Sequence, residues 1–95
     1  MKYIIQIDIP ATEAPETQPE SLQEVIGKWQ ALNPIGFYAS LTRRRATIIV
    51  DAPNEDSFFE AMYATWIAFK TYPEVWPVVS MDELPVLMQR TGMAP

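Results

Sequence analysis

The sequence contains no cysteine and no histidine. Without thiols there is no disulfide scaffold, thiolate zinc site, iron–sulfur ligation or sulfur nucleophile. Without imidazole there is no histidine general base, metal ligand or haem ligand. Carboxylates, phenols, hydroxyls, lysine and arginine are what remain for chemistry. Basic charge is also scarce, with 7 Lys and Arg against 12 Asp and Glu and a net charge of −5. That balance argues against nucleic acid or an anionic membrane as partner, because such binding draws its affinity from neutralised phosphates. No stretch approaches the roughly 18 consecutive apolar residues of a membrane span, and the N-terminus has no signal-peptide pattern. A soluble, cytoplasmic protein is the expectation.

What is present is the composition of a folded globule: 48% hydrophobic, 12% aromatic and 20% charged over 95 residues. That length predicts a single domain over residues 1–95, and a chain so short buries only about two-thirds of its unfolded surface. A second copy would therefore help it.

Residues 2–9 (KYIIQIDI) alternate as a strand does, with Tyr3, Ile5, Ile7 and Ile9 on one side and Lys2, Ile4, Gln6 and Asp8 on the other. Pro10 ends the run, and the aperiodic stretch from Ala11 to Pro19 reads as a loop. Thr17 with Glu20, and Ser21 with Glu24, have capping-box spacing, so a helix should begin near residue 19. Its buried stripe is Leu22, Val25, Ile26, Trp29 and Leu32, and Asn33-Pro34 stops it.

Two extended runs follow. In FYASLT, Phe37, Ala39 and Leu41 face one way; in the run from Arg45 to Ala52, so do Ala46, Ile48 and Val50. Only Arg43 and Arg44 lie between them, which predicts a tight hairpin, without the Asn-Gly or Asp-Gly pair that favours one. Asn54 is a good N-cap for a second helix running to about Tyr72, ahead of Pro73. Its bulky residues, Phe58, Phe59, Met62, Tyr63, Trp66, Ile67 and Phe69, cover more than one stripe, leaving Glu60, Thr65, Lys70 and the alanines for the rest. So broad an apolar surface implies neighbours on more than one side. Val75 to Met81 reads as a last strand, with Pro77 marking an edge or bulge, and Asp82 as the cap of a short helical segment carrying Leu84, Leu87 and Met88.

The order βαββαβ, with right-handed crossovers and a central hairpin, predicts a ferredoxin-like α+β fold: a four-stranded antiparallel sheet, both helices on one face, and the first and third strands as central neighbours. The strand from residue 2, the ending IIVDAP, the helix opening EDSFFEAM and the terminal PEVWPVVSMDELPVL together resemble the dimeric α+β barrel superfamily, nearest its small uncharacterised and muconolactone-isomerase-like members. The resemblance implies two facing sheets in a homodimer or a higher even-numbered homo-oligomer. It also implies a small organic ligand held between sheet and helices or at the dimer interface. No cofactor is expected. A cofactor-independent isomerase, lyase or oxygenase and a subunit of a larger assembly stand as alternatives. The histidines that several branches use have no counterpart in this chain.

Three groups are candidate sites. If Gln6 lies opposite Thr47, Asp8 falls opposite Arg45, both away from the helices. These four residues with Tyr38 are either a polar anchor for a small acid or enol, with Asp8 or Tyr38 transferring a proton, or a cross-strand ion pair and interface contact. Trp66, Phe69, Tyr72 and Trp76 either line a pocket for a ring or lactone or are core and interface. Arg43 to Arg45 either clamp an anion or are solvated charges guarding an edge. RNA binding on the open sheet would need aromatic residues on its central strands and a basic surround, and Thr47 and Ile49 stand there instead. No carboxylate pattern suggests a metal.

Overall fold

In the first strand, β1 (Lys2–Asp8), alternation has one physical result: Ile5 and Ile7 are buried while their neighbours Ile4 and Gln6 are only partly so. The computed structural model describes residues 1–10 and 19–93. The Ala11–Pro19 loop expectation and the Thr17 capping box therefore lie essentially outside the described residues. The remaining elements are α1 (Pro19–Gln30), β2 (Gly36–Ala39), β3 (Arg45–Asp51), α2 (Glu55–Phe69), β4 (Glu74–Val78) and α3 (Leu84–Arg90). The strands form one antiparallel sheet in the order β2-β3-β1-β4. This is the ferredoxin-like arrangement, with β1 and β3 central and Pro77 on the edge strand β4, where its missing N–H leaves no ladder bond unmade.

The core lies between the sheet and the two long helices. Ile5, Ile7, Ile48 and Val50 from the sheet meet Val25, Trp29 and Leu32 from α1 and its C-terminal turn, and Ala61 and Phe69 from α2. Against expectation, the buried line of α2 includes two small residues: Ala61, Thr65 and Phe69, four apart, are buried and Phe58 and Met62 pack beside them, whereas Phe59, Tyr63, Trp66 and Ile67 are exposed. Trp29 is the reason. Its indole fills the space between the helices, fully buried, and donates Nε1–H to the hydroxyl of Thr65 at 2.9 Å. The Thr65 hydroxyl donates in turn to the Ala61 carbonyl at 2.8 Å. Thr65, left on the outer side by sequence pattern, is thus an inter-helix latch.

Other boundaries shift for local reasons. After α1 the chain tightens through i+3 bonds from Leu32 N–H to Trp29 and Asn33 N–H to Gln30, then reverses at Asn33 in a left-handed conformation (φ 51°) that asparagine tolerates. Helix α2 stops at Phe69 rather than Tyr72, because Lys70 is left-handed (φ 59°), donates its N–H to Trp66 and caps the Ile67 carbonyl with its ammonium. Its start is as read: Asn54 Oδ1 accepts from Ser57 N–H at 3.1 Å. The β2–β3 hairpin is longer than two residues. Strand β2 ends at Ala39, Ser40 N–H reaches the Arg45 carbonyl, and Leu41, expected under the helices, is fully exposed at the tip of the connection. Strand β4 ends at Val78, so Met81 is exposed outside it. Asp82 does not cap α3: the N-cap is Glu83, without a side-chain cap bond, and Ser80 braces the turn ahead of it, its hydroxyl accepting from Glu83 N–H and donating to the Glu83 carboxylate.

Helix α3 buries no residue. The radius of gyration is 15.7 Å, against about 12 Å for a compact chain of this length, and the extents are 55 × 31 × 20 Å. Among the described residues no helix is long and apolar enough to cross a membrane.

Candidate functional site

The face of the sheet away from the helices can be read row by row from the strand register. Ile4 lies opposite Ile49 on one side and Trp76 on the other, and Ile49 opposite Gly36. The next row is Glu74, Gln6, Thr47 and Tyr38, and beyond it Asp8 faces Arg45. Gln6, Asp8, Tyr38, Arg45, Thr47 and Trp76 therefore share this open face. Gly36 has a specific task in it. The Tyr38 ring lies across it, so that a Cβ at Gly36 would come within 2.6 Å of the ring. The outcome is an apolar band of Trp76, Ile4, Ile49 and the Tyr38 ring crossing all four strands, with Trp76 49% and Tyr38 61% exposed.

Beside that band is a polar clamp. Arg45 Nε donates to Asp8 Oδ1 at 2.8 Å, Nη2 to Asp8 Oδ2 at 3.2 Å, and Nη1 to Gln6 Oε1 at 2.8 Å. Three of the five guanidinium N–H donors are thus taken within the chain. The Arg45 hydrogen bond holds the Asp8 carboxyl below its ordinary value, against a smaller opposing effect of burial. Asp8 is exposed and ionised, the opposite of the enclosed carboxyl that a proton donor at neutral pH requires. Arg43 and Arg44 are exposed in the hairpin connection.

An apolar concavity lies on the other side of the sheet. A cleft of about 660 Å³ opens between α2 and the β1–β4 edge, a volume typical of small-molecule sites, which run roughly 300–1,000 Å³. Its floor is Tyr3 and Val75, its helical wall Phe58, Phe59, Met62 and Tyr63, and its rim Met1, Ala52, Pro53, Glu55 and Tyr72. The walls are aromatic pairs. Tyr3 tilts against Phe58 at 6.0 Å between ring centroids, Phe59 stacks on Tyr63 at 5.8 Å, and Tyr72 stacks on Trp66 at 5.1 Å. At the rim Ala52 adopts a positive φ of 45°, unusual for a residue with a Cβ, held by its N–H on the Met1 carbonyl.

The aromatic group, read either as one pocket or as core and interface, is divided by this geometry. Phe69 is core, Tyr72 lines the cleft, Trp66 stands behind Tyr72, and Trp76 is on the open face. Asp8 and Tyr38 do not line the cleft. Pattern reading missed Tyr3, Phe58, Phe59, Met62, Tyr63 and Val75 as lining residues. The signal for four of them was the excess breadth of the apolar surface on α2, which points to a second neighbour without saying what it is. Among the described residues, no group of three or more Asp or Glu side chains converges as a metal site.

A comparison with curated proteins finds no match. The family profile of a domain of unknown function, DUF3303, matches residues 1–92, nearly the whole chain, and the protein belongs to that family.

Proposed function

We propose that this protein is a small homodimer that binds a small organic ligand in the cleft between the sheet and α2. The observation that carries the ligand reading is the cleft itself: a 660 Å³ concavity with aromatic walls, lined along α2 by Phe58, Phe59, Met62 and Tyr63. Support for the dimer comes from the opposite face, where Trp76, Ile4, Ile49 and Tyr38 form an apolar band that one copy leaves partly exposed, and from α3, none of whose residues is fully buried against its own chain. Facing sheets in the manner of the dimeric α+β barrels would cover the band. The Asp8–Arg45–Gln6 clamp then serves as a polar contact beside it rather than as a proton-transfer site.

Both halves have direct tests. Light scattering after size exclusion should give about twice 10.8 kDa, and Ile49→Asp should yield a folded monomer. The neutral, environment-sensitive dye N-phenyl-1-naphthylamine should brighten on binding, and Val75→Trp, which fills the cleft floor, should abolish that with an unchanged far-UV circular dichroism spectrum. Equal dye binding by the filled variant would remove the cleft as the site.

A further inference from the structure

We infer that the cleft selects organic cations: amines or quaternary ammonium groups carried on a flat apolar body. The inference rests on the reading of the cleft as a ligand site and adds the chemistry of what enters it. Among its described lining residues the one charged side chain is Glu55, and there is no lysine or arginine. Glu55 stands at the rim, in the first turn of α2. The Met1 ammonium at the same rim lies 3.8 Å from the Asp51 carboxylate, which offsets it.

The walls favour the same charge. Tyr3, Phe58, Phe59, Tyr63 and Tyr72 present five rings around one concavity. The face of an aromatic ring carries negative electrostatic potential and attracts an ammonium group, most strongly where water is displaced. Phe59 and Tyr63 are nearly parallel, with an interplanar angle of 10°, and Tyr72 is held at 6° to Trp66. Stacking holds these rings at preset angles to one another. A carboxylate in the same place would meet Glu55 and the ring faces with no cationic side chain to neutralise it. The overall charge of −5 draws cations toward the protein as well.

The test is displacement of N-phenyl-1-naphthylamine from the intact protein by three probes of one shape: 2-naphthylmethyl-trimethylammonium, 2-naphthylmethanol and 2-naphthylacetate. The cation should displace the dye at a concentration at least tenfold below that needed for the carboxylate, with the alcohol between them. Glu55→Gln, an exposed substitution outside the core, should narrow the cation-to-carboxylate ratio threefold or more and leave the alcohol unchanged. Displacement by the carboxylate at an equal or lower concentration overturns the cation selectivity while leaving the cleft a ligand site. Failure of the dye to bind, or binding insensitive to Val75→Trp, overturns the site and the selectivity together.

Discussion

Replacing Thr65 by valine tests the packing argument at its most specific point. Valine has nearly the shape of threonine, so the substitution leaves the space between α1 and α2 filled and removes only a hydroxyl. That hydroxyl accepts the Trp29 indole N–H at 2.9 Å, and both side chains are fully buried. Without it the indole donor has neither partner nor water. An orphaned buried donor costs about 1–3 kcal/mol, a large share of the roughly 5–14 kcal/mol expected for a chain of this length. Thr65→Ser keeps the hydroxyl and loses one methyl, about 1 kcal/mol. The discriminating measurement is a double-mutant cycle by urea unfolding, followed by far-UV circular dichroism at fixed protein concentration. In a Trp29→Phe background there is no indole to orphan, so Thr65→Val should cost close to nothing there. The coupling between the two sites should therefore be about 1–3 kcal/mol, with the melting temperature of Thr65→Val down by about 4–8 °C per kcal/mol. An equal cost of Thr65→Val in both backgrounds would refute the latch.

Ile48→Asp should unfold the chain, because Ile48 is fully buried in the central strand: the lost packing costs about 2–5 kcal/mol and the uncompensated charge several more. Ile49→Asp, one residue on and facing the other way, should leave the circular dichroism signal intact; equal damage from both would mean the faces of β3 are misassigned. The pH dependence of stability should contain a small acid-side contribution from Asp8. Its folded carboxyl is held below the ordinary value by Arg45, so this stability is present above the unfolded carboxyl's pKa and is lost as pH falls through the folded one. Urea midpoints of wild type and Asp8→Asn should then differ near neutral pH and converge in acid, and a gap that widens on acidification would contradict the sign.

How much of this was legible in the chain depends on the range of the interaction concerned. Period-two alternation in β1 and β3 located both faces of the central strands, because a slip of one residue would have exposed Ile5 and Ile48; it left the Gln6–Thr47 and Asp8–Arg45 pairings as one register among those two residues apart, and that register is the one the strands adopt. The helix stripe of α1 was equally plain. The inward line of α2 was not, because size and hydrophobicity rank Phe59 and Trp66 above Ala61 and Thr65. Only the Trp29 indole on the facing helix makes small residues the better fit. Leu41 was misplaced for a related reason: alternation continued past Ala39 in sequence, but pairing did not.

The missing cysteine and histidine, the acidic balance and the order of alternating segments were sufficient by themselves for the fold class and for discarding whole categories of chemistry. Those are local or compositional properties, and no neighbour distant in sequence can change them. The location of the cleft was decided by tertiary structure alone. It exists because Tyr3 of β1, Phe58, Phe59, Met62 and Tyr63 of α2, and Tyr72 with Val75 beyond it, drawn from three separate parts of the chain, meet around one space.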